Sequence, residues 1–339
     1  MLKKVLGKTL LGICILGSAA IASSEVNVYT TRHYDTDKQL FKNFEEKTGI
    51  KVNVIKAKSG ALIKRMQSEG KNSPADVLIT VDAGGLFQAK TAGVLQEINS
   101  ETLNKNIPAN LRDKDNQWFG LTKRARVALF SFDEAKNPGI KTYEDLADPK
   151  NKGKIVIRSS NNVYNQSLLA AVIEHHGEEY ALKWAKGVVA NMARRPKGND
   201  RAQVVAVANG IGSVAIANTY YIGKMVNNKK QEQREAIKKV KVFFPTFKNG
   251  GTHVNVSGAG VAKFAPNKAN GIKFIEFLTS ADAQELFAKG NYEYPILAGV
   301  KSSELVSSWG TFNADTISMN ALGQNNKAAV KIFDQAGWK

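Results

Sequence analysis

Four of the nine tyrosines of this 339-residue chain stand just beyond three apolar, strand-like runs. Arg32-His33-Tyr34 follows Val26-Asn27-Val28-Tyr29-Thr30. Asn161-Asn162-Val163-Tyr164 follows Lys154-Ile155-Val156-Ile157. Tyr220-Tyr221 follows Gly212-Ser213-Val214-Ala215-Ile216-Ala217. A lone tyrosine at a strand end is ordinarily an amphipathic packing residue. Open α/β sheets, however, bind ligands beyond the carboxyl ends of their strands. Four phenols and the His33 imidazole in such positions therefore leave two readings: core packing, or a cleft lined with phenols.

A phenol loses its proton only near pH 10 in water, so it is a poor ligand for most metal ions. A cation of high charge density displaces that proton, because the metal favours the charged ligand. Hard ions prefer oxygen, and imidazole also suits iron. Three or four phenolates with an imidazole match Fe³⁺ in charge and hardness. Zn²⁺ or Cu²⁺ calls for more His or Cys, and Ca²⁺ or Mg²⁺ for carboxylates and carbonyls. Four phenolates leave Fe³⁺ with one excess negative charge. Arg124 and Arg126 lie on a segment that can supply the balancing cation.

The elements that must hold these residues read as strand followed by helix. Val26–Thr30, Val52–Ile55 and Ala75–Thr80 are strands, with helices near Asp35–Gly49 and Ala61–Glu69 between them. The apolar run of Ala75–Thr80 suits a strand buried on both faces. The pattern restarts with Lys154–Ile157, a long helical region from Ser167, Gly212–Ala217 and a helix from about Tyr220. Alternation of this kind predicts parallel sheet with crossover helices. Leu121–Phe132 is expected to cross between two lobes and Lys239–Phe244 to cross back. Val254–Phe264 reads as sheet and Asn267–Lys289 as a helix pair.

Composition narrows the function. Lys3, Lys4 and Lys8, the apolar run Leu10–Leu16 and Ala20-Ile21-Ala22 read as a signal peptide over residues 1–22. Cys14 falls within that segment. The bulky Ile13 before it argues against a lipid attachment site, and the mature chain is left without cysteine. The formal charge is +18, but the lysines are scattered and no arginine-rich tail appears. This reads as a solvated basic surface rather than a nucleic-acid site. His175-His176-Gly177 reads as a surface turn, and the isolated His253 as a surface or core residue. Gly258-Ala259-Gly260 lacks the remainder of a dinucleotide site, and no phosphate-binding GxxxxGK[ST] occurs.

The chain resembles the periplasmic ferric-iron-binding proteins of ABC transporters, most closely their cyanobacterial iron-uptake branch. The likeness is carried by Val26–Thr30 with Arg32-His33-Tyr34, ADVLITVDAG (75–84), NQSLLAAVI (165–173), ANTYYIGK (217–224) and the stretch 255–288. It implies an α/β, bilobed periplasmic-binding-protein fold (class II, like a transferrin lobe), two lobes around a hinged cleft. The lobes expected are 23–125 with 250–298, and 126–249 with 299–339. Carried over by motif, the resemblance implies the ligands Tyr34, Tyr164, Tyr220 and Tyr221, with His33 at the imidazole position and Arg124 as a supporting cation. The cargo implied is Fe³⁺, with Fe²⁺ as an alternative. The implied role is to hand iron, as a periplasmic monomer without catalysis, to a membrane permease and its ATPase. No acidic residue stands in the N-terminal motif, so no accessory anion is expected to be obligatory. Two other hypotheses remain: a same-fold binding protein for a small anionic or organic nutrient, and an enzyme. Nothing organises His33 into a catalytic dyad.

Overall fold

The computed structural model describes residues 24–136 and 139–339; residues 1–22, expected to be a signal peptide, with Cys14, lie outside them. Strands β1 (Glu25–Thr30), β2 (Lys51–Lys56) and β3 (Val77–Thr80) are joined by helices Asp35–Thr48 and Ser59–Glu69. β1 pairs in parallel with both β2 and β3. All four residues of β3 are buried, as its continuous apolar run requires. The first of these helices ends at Gly49, whose φ of 71° lets the chain reverse into β2.

The centre of the molecule is β4 (Phe119–Ser131), a 13-residue strand. Its first half, Phe119–Ala125, pairs antiparallel with β8 (Val254–Val261), which in turn pairs with β3. Its second half, Arg126–Phe130, pairs antiparallel with β6 (Val214–Asn218). β6 pairs in parallel with β5 (Ile155–Val156). The order is therefore β2-β1-β3-β8-β4-β6-β5, with β7 (Val240–Phe243) and β9 (Tyr294–Pro295) also on β4. A single strand thus serves both lobes, and the bilobed α/β architecture is built around it.

Two expectations are corrected. The sheet is mixed rather than parallel, because β4 and β8 enter each lobe from the other and so run against its strands. Residues 239–244 do not cross back: β7 pairs with Ala128–Ser131, within the half of β4 that it was expected to leave. The return is made by β8, whose Val254 lies beside Ala125.

His175 and His176 are likewise not a solvated turn. They close the first of two helical segments within Val163–Asn191, which break at Gly177 (φ 81°, ψ 168°), and both are partly buried. His175 Nε2 lies 2.7 Å from Asp315 Oδ2, and His176 Nε2 lies 2.8 Å from Glu144 Oε1. The helix pair over 267–289 is found as Lys268–Leu278 and Ala281–Asn291. Phe274 of the first packs edge-on to Phe44 at 5.0 Å. The C-terminal helix Asn326–Ala336 lies on Val163–Asn191, with Trp184 and Trp338 6.1 Å apart.

Candidate metal centre

Tyr34 is held at the start of helix Asp35–Thr48 by a buried ionic knot. Arg32 Nε donates to Asp37 Oδ1 at 2.9 Å, and the Tyr34 amide donates to Asp37 Oδ2 at 3.2 Å. The other end of the Arg32 guanidinium reaches Ser257 Oγ on β8 (3.0 Å) and Glu293 Oε2 (3.2 Å). Burial disfavours the Arg32 charge, but Asp37 and Glu293 outweigh it and raise its pKa. Burial disfavours the Glu293 charge as well, yet Arg32 holds its pKa below the ordinary value. The guanidinium carbon also lies 5.0 Å from the Tyr34 ring centre.

Tyr164 stands in the first turn of helix Val163–Asn191, where its amide donates to the Asn162 cap oxygen at 3.2 Å. Its ring is surrounded by guanidiniums. The Cζ atoms of Arg124, Arg126 and Arg158 lie 5.9, 6.0 and 5.7 Å from its centre. Arg124 and Arg126 both reach it because they are two apart on β4 and share a face. Arg126 donates to Asp200 Oδ1 (2.6 Å), Asn218 Oδ1 (3.1 Å) and Asn165 Oδ1 (2.7 Å). Arg158 donates to the other oxygen of Asp200. Arg124 donates instead to Ser257 Oγ (3.4 Å) and the Val81 carbonyl, and no ion pair engages it among the described residues.

Tyr220 and Tyr221 open helix Thr219–Val226 directly after β6. The Ala125 amide donates to Thr219 Oγ1, which ties this helix start to β4. Tyr220 is 3% exposed, and its hydroxyl donates to the Tyr164 hydroxyl at 2.8 Å. The Tyr220 ring lies 4.3 Å from Tyr221 and 6.4 Å from Tyr34, and Tyr164 lies 6.4 Å from Tyr221. Three distant chain segments thus bring four phenols into one cluster. Burial pushes Tyr34 up to about 12 and holds Tyr164 and Tyr220 well above the ordinary phenol value; neighbouring phenols add to both.

His33 is exposed, at the rim of the cluster, its ring 4.8 Å from that of Tyr34. His253 is a core residue. Its Nε2 lies 3.0 Å from Ser167 Oγ, and burial, with Arg126 and Arg124 beside it, pushes it down to about 3. Two supports escaped the sequence reading. Lys224 places Nζ 3.5 Å from the Tyr34 ring centre and 5.4 Å from that of Tyr220. Its position four residues after Tyr220 on a helix is a signal that reading by faces would have caught. Glu293 carried no such signal, since its partner Arg32 lies 261 residues away.

This cluster can take up a hard, highly charged cation. Its ligand atoms would be oxygens that gain charge on losing protons, and the surrounding cations offset that charge. Among the described residues no group of three or more His, Cys, Asp or Glu side chains is arranged to hold a metal.

Comparison with known proteins gives a consistent setting. Residues 72–313 match the family described as bacterial extracellular solute-binding protein. Iron uptake protein A1 of Synechocystis sp. is 50% identical over 315 residues, covering 93% of this chain and 88% of its own. Iron uptake protein A2 of the same organism is 46% identical over 323 residues, 95% of this chain and 92% of its own. A Trichodesmium protein solved in complex with iron and citrate ligands superimposes with a TM-score of 0.90 at 51% identity. It covers 93% of this chain and is itself covered completely.

Proposed function

The chain belongs to the bacterial extracellular solute-binding protein family, and we propose that it captures ferric iron on the phenolates of Tyr34, Tyr164, Tyr220 and Tyr221. Convergence of these four side chains beneath Arg124, Arg126 and Arg158 carries the reading. The names of the similar proteins, iron uptake protein and an iron complex, agree with it. The protein is exported to the periplasm by its signal peptide and, as a monomer, passes iron to an ABC permease and its ATPase. The lobes are 23–125 with 250–298 and 126–249 with 299–339, and β4 and β8 serve as hinge strands. His33, at the rim beside Tyr34, supplies the imidazole. Fe²⁺ is a weaker cargo, because it displaces fewer phenol protons.

A visible spectrum of the purified mature protein, before and after addition of ferric citrate, tests this. A broad phenolate-to-iron band should appear with loading. Tyr34, Tyr164 and Tyr220 are protonated at neutral pH, so loading releases a proton for each phenolate formed. Apparent affinity therefore rises with pH and weakens on acidification. A colourless, folded protein with metal-independent affinity for a small anion would transfer the reading to an anionic or organic nutrient.

Arg124→Ala separates charge balance from packing. Arg124 is buried, and no ion pair engages it among the described residues, so its positive charge is available to a phenolate cluster. The variant should weaken Fe³⁺ binding more than Fe²⁺ binding, by about tenfold or more for the ferric ion, the scale of a lost charged partner. Equilibrium competition against chelators for each oxidation state provides the comparison. A larger ferrous than ferric loss would contradict the charge-balance argument.

A further inference from the structure

Helix Thr219–Val226 carries Tyr220 and Tyr221 and belongs with β6. On it, Gly223 faces a residue from the opposite lobe. A Cβ built on Gly223 would stand 2.3 Å from Tyr292 Cγ and 2.6 Å from Tyr292 Cβ. No alanine fits there without displacing the ring. One turn further on, Asn227 Nδ2 donates to the Tyr292 hydroxyl at 2.7 Å. The glycine lowers helix propensity by about 1 kcal/mol relative to alanine, so its value at this position lies in the notch it leaves.

Tyr292 is itself unusual. Among the described residues, only it and Asn116 have positive φ without being glycine; at Tyr292 φ is 58° and ψ 32°. A bulky residue persists in that conformation only where its surroundings impose it. Its two neighbours do so. Asn291 and Glu293 are both buried and joined by a 2.7 Å hydrogen bond, and Glu293 anchors Arg32. The helix that ends at Tyr292 is also seated on the helix that begins after Tyr34. A Cβ on Gly290 would lie 2.6 Å from Thr36 Oγ1. Tyr292 and Tyr34 are thus parts of one braced unit, and Lys224 over the Tyr34 ring gives that unit a second contact with the same helix.

We propose that Tyr292 is a positioning residue for metal capture. Its ring, seated on Gly223 and bonded to Asn227, sets the depth of lobe closure at which Tyr34 meets Tyr220 and Tyr221. The inference rests on the iron reading above and adds to it a residue that touches no metal. The strained backbone at Tyr292 presents the ring to the notch before closure, so the ring need not be ordered when the lobes meet.

The test compares Gly223→Ala, Tyr292→Ala and the double variant with wild type. Three quantities are read: the rate of Fe³⁺ release to a chelator, the band maximum at saturation, and the radius of gyration by small-angle scattering. Gly223→Ala should release iron about tenfold faster, within the usual range of coupling between sites. Its saturated band maximum should stay unchanged, since all four phenols remain, while the loaded protein stays more expanded than wild type. Tyr292→Ala should also release faster. The double variant should be no worse than Tyr292→Ala alone, because the added methyl then has nothing to strike. Wild-type release from Gly223→Ala, or additive losses in the double variant, overturns the proposal. If Gly223→Ala fails to fold, Tyr292→Ala and Asn227→Ala carry the test, and wild-type release from both overturns it. A wild type without a band sinks the iron reading on its own. Closure is then read by scattering alone, and a Gly223→Ala chain as compact as wild type overturns the positioning role.

Discussion

Phenylalanine at both Tyr220 and Tyr221 should abolish the ferric band and lower Fe³⁺ affinity by more than about a hundredfold, a loss that even an outer partner of a metal ligand can cause. Each substitution removes one oxygen and leaves the ring. The packing of Tyr220 against Tyr221 and Tyr34 therefore survives, and what disappears is the atom that becomes charged. The fold should barely notice. Tyr220 loses one hydrogen bond, to Tyr164, worth about 1 kcal/mol net. Thermal unfolding of the unloaded variant should sit within a few degrees of wild type while the visible titration stays flat. Each single variant should keep a weakened band, shifted because one phenolate fewer reaches the metal. Native affinity in both single variants would return the tyrosine pair to the role of cleft wall.

The tyrosine cluster of the candidate site was more legible than the strand pairing because its residues announce themselves locally. Tyr34, Tyr164 and the Tyr220-Tyr221 pair each follow a short apolar strand, and strand ends are where such sheets bind. The buried β3 and the helix pair after Asn267 were visible for the same reason, as periodicity within a dozen residues. What failed depended on partners far along the chain. Whether β4 runs with or against its neighbours is decided by β8, some 130 residues later, and by β6. Residues 239–244 were expected to cross back, and only their pairing with Ala128–Ser131 shows that they stay in their lobe. His175 and His176 looked like a turn because Gly177 follows them. The carboxylates that engage them, Asp315 and Glu144, are 140 and 32 residues away. The Arg32 knot has the same character, since nothing near Arg32 points to Glu293.

Arg126 is where scaffold and site meet, and its removal should be the costliest single change for stability. Its guanidinium satisfies Asp200, Asn218 and Asn165 at once, and both Arg126 and Asp200 are at most 2% exposed. Asn218 ends β6 immediately before the helix that carries the tyrosine pair, and Asn165 adjoins Tyr164. Arg126→Met fills much of the space but leaves the buried Asp200 carboxylate with Arg158 as its one cation and the Asn218 backbone amide as its other donor, and two side-chain amide oxygens unpaired. Breaking a buried ion pair from one side costs about 3–5 kcal/mol, and urea unfolding of the metal-free protein should register a loss of that order. Adding Asp200→Asn removes the stranded charge, so the double variant should recover part of the loss. If the single variant loses less than about 1 kcal/mol, the value of an ordinary surface pair, then Arg158 and the Asn218 backbone amide can hold Asp200. The cationic face behind Tyr164 would then serve the bound metal's charge rather than the fold. A large loss, partly restored by Asp200→Asn, would mean that the same guanidinium both fastens β4 to its lobe and faces the phenol that must ionise.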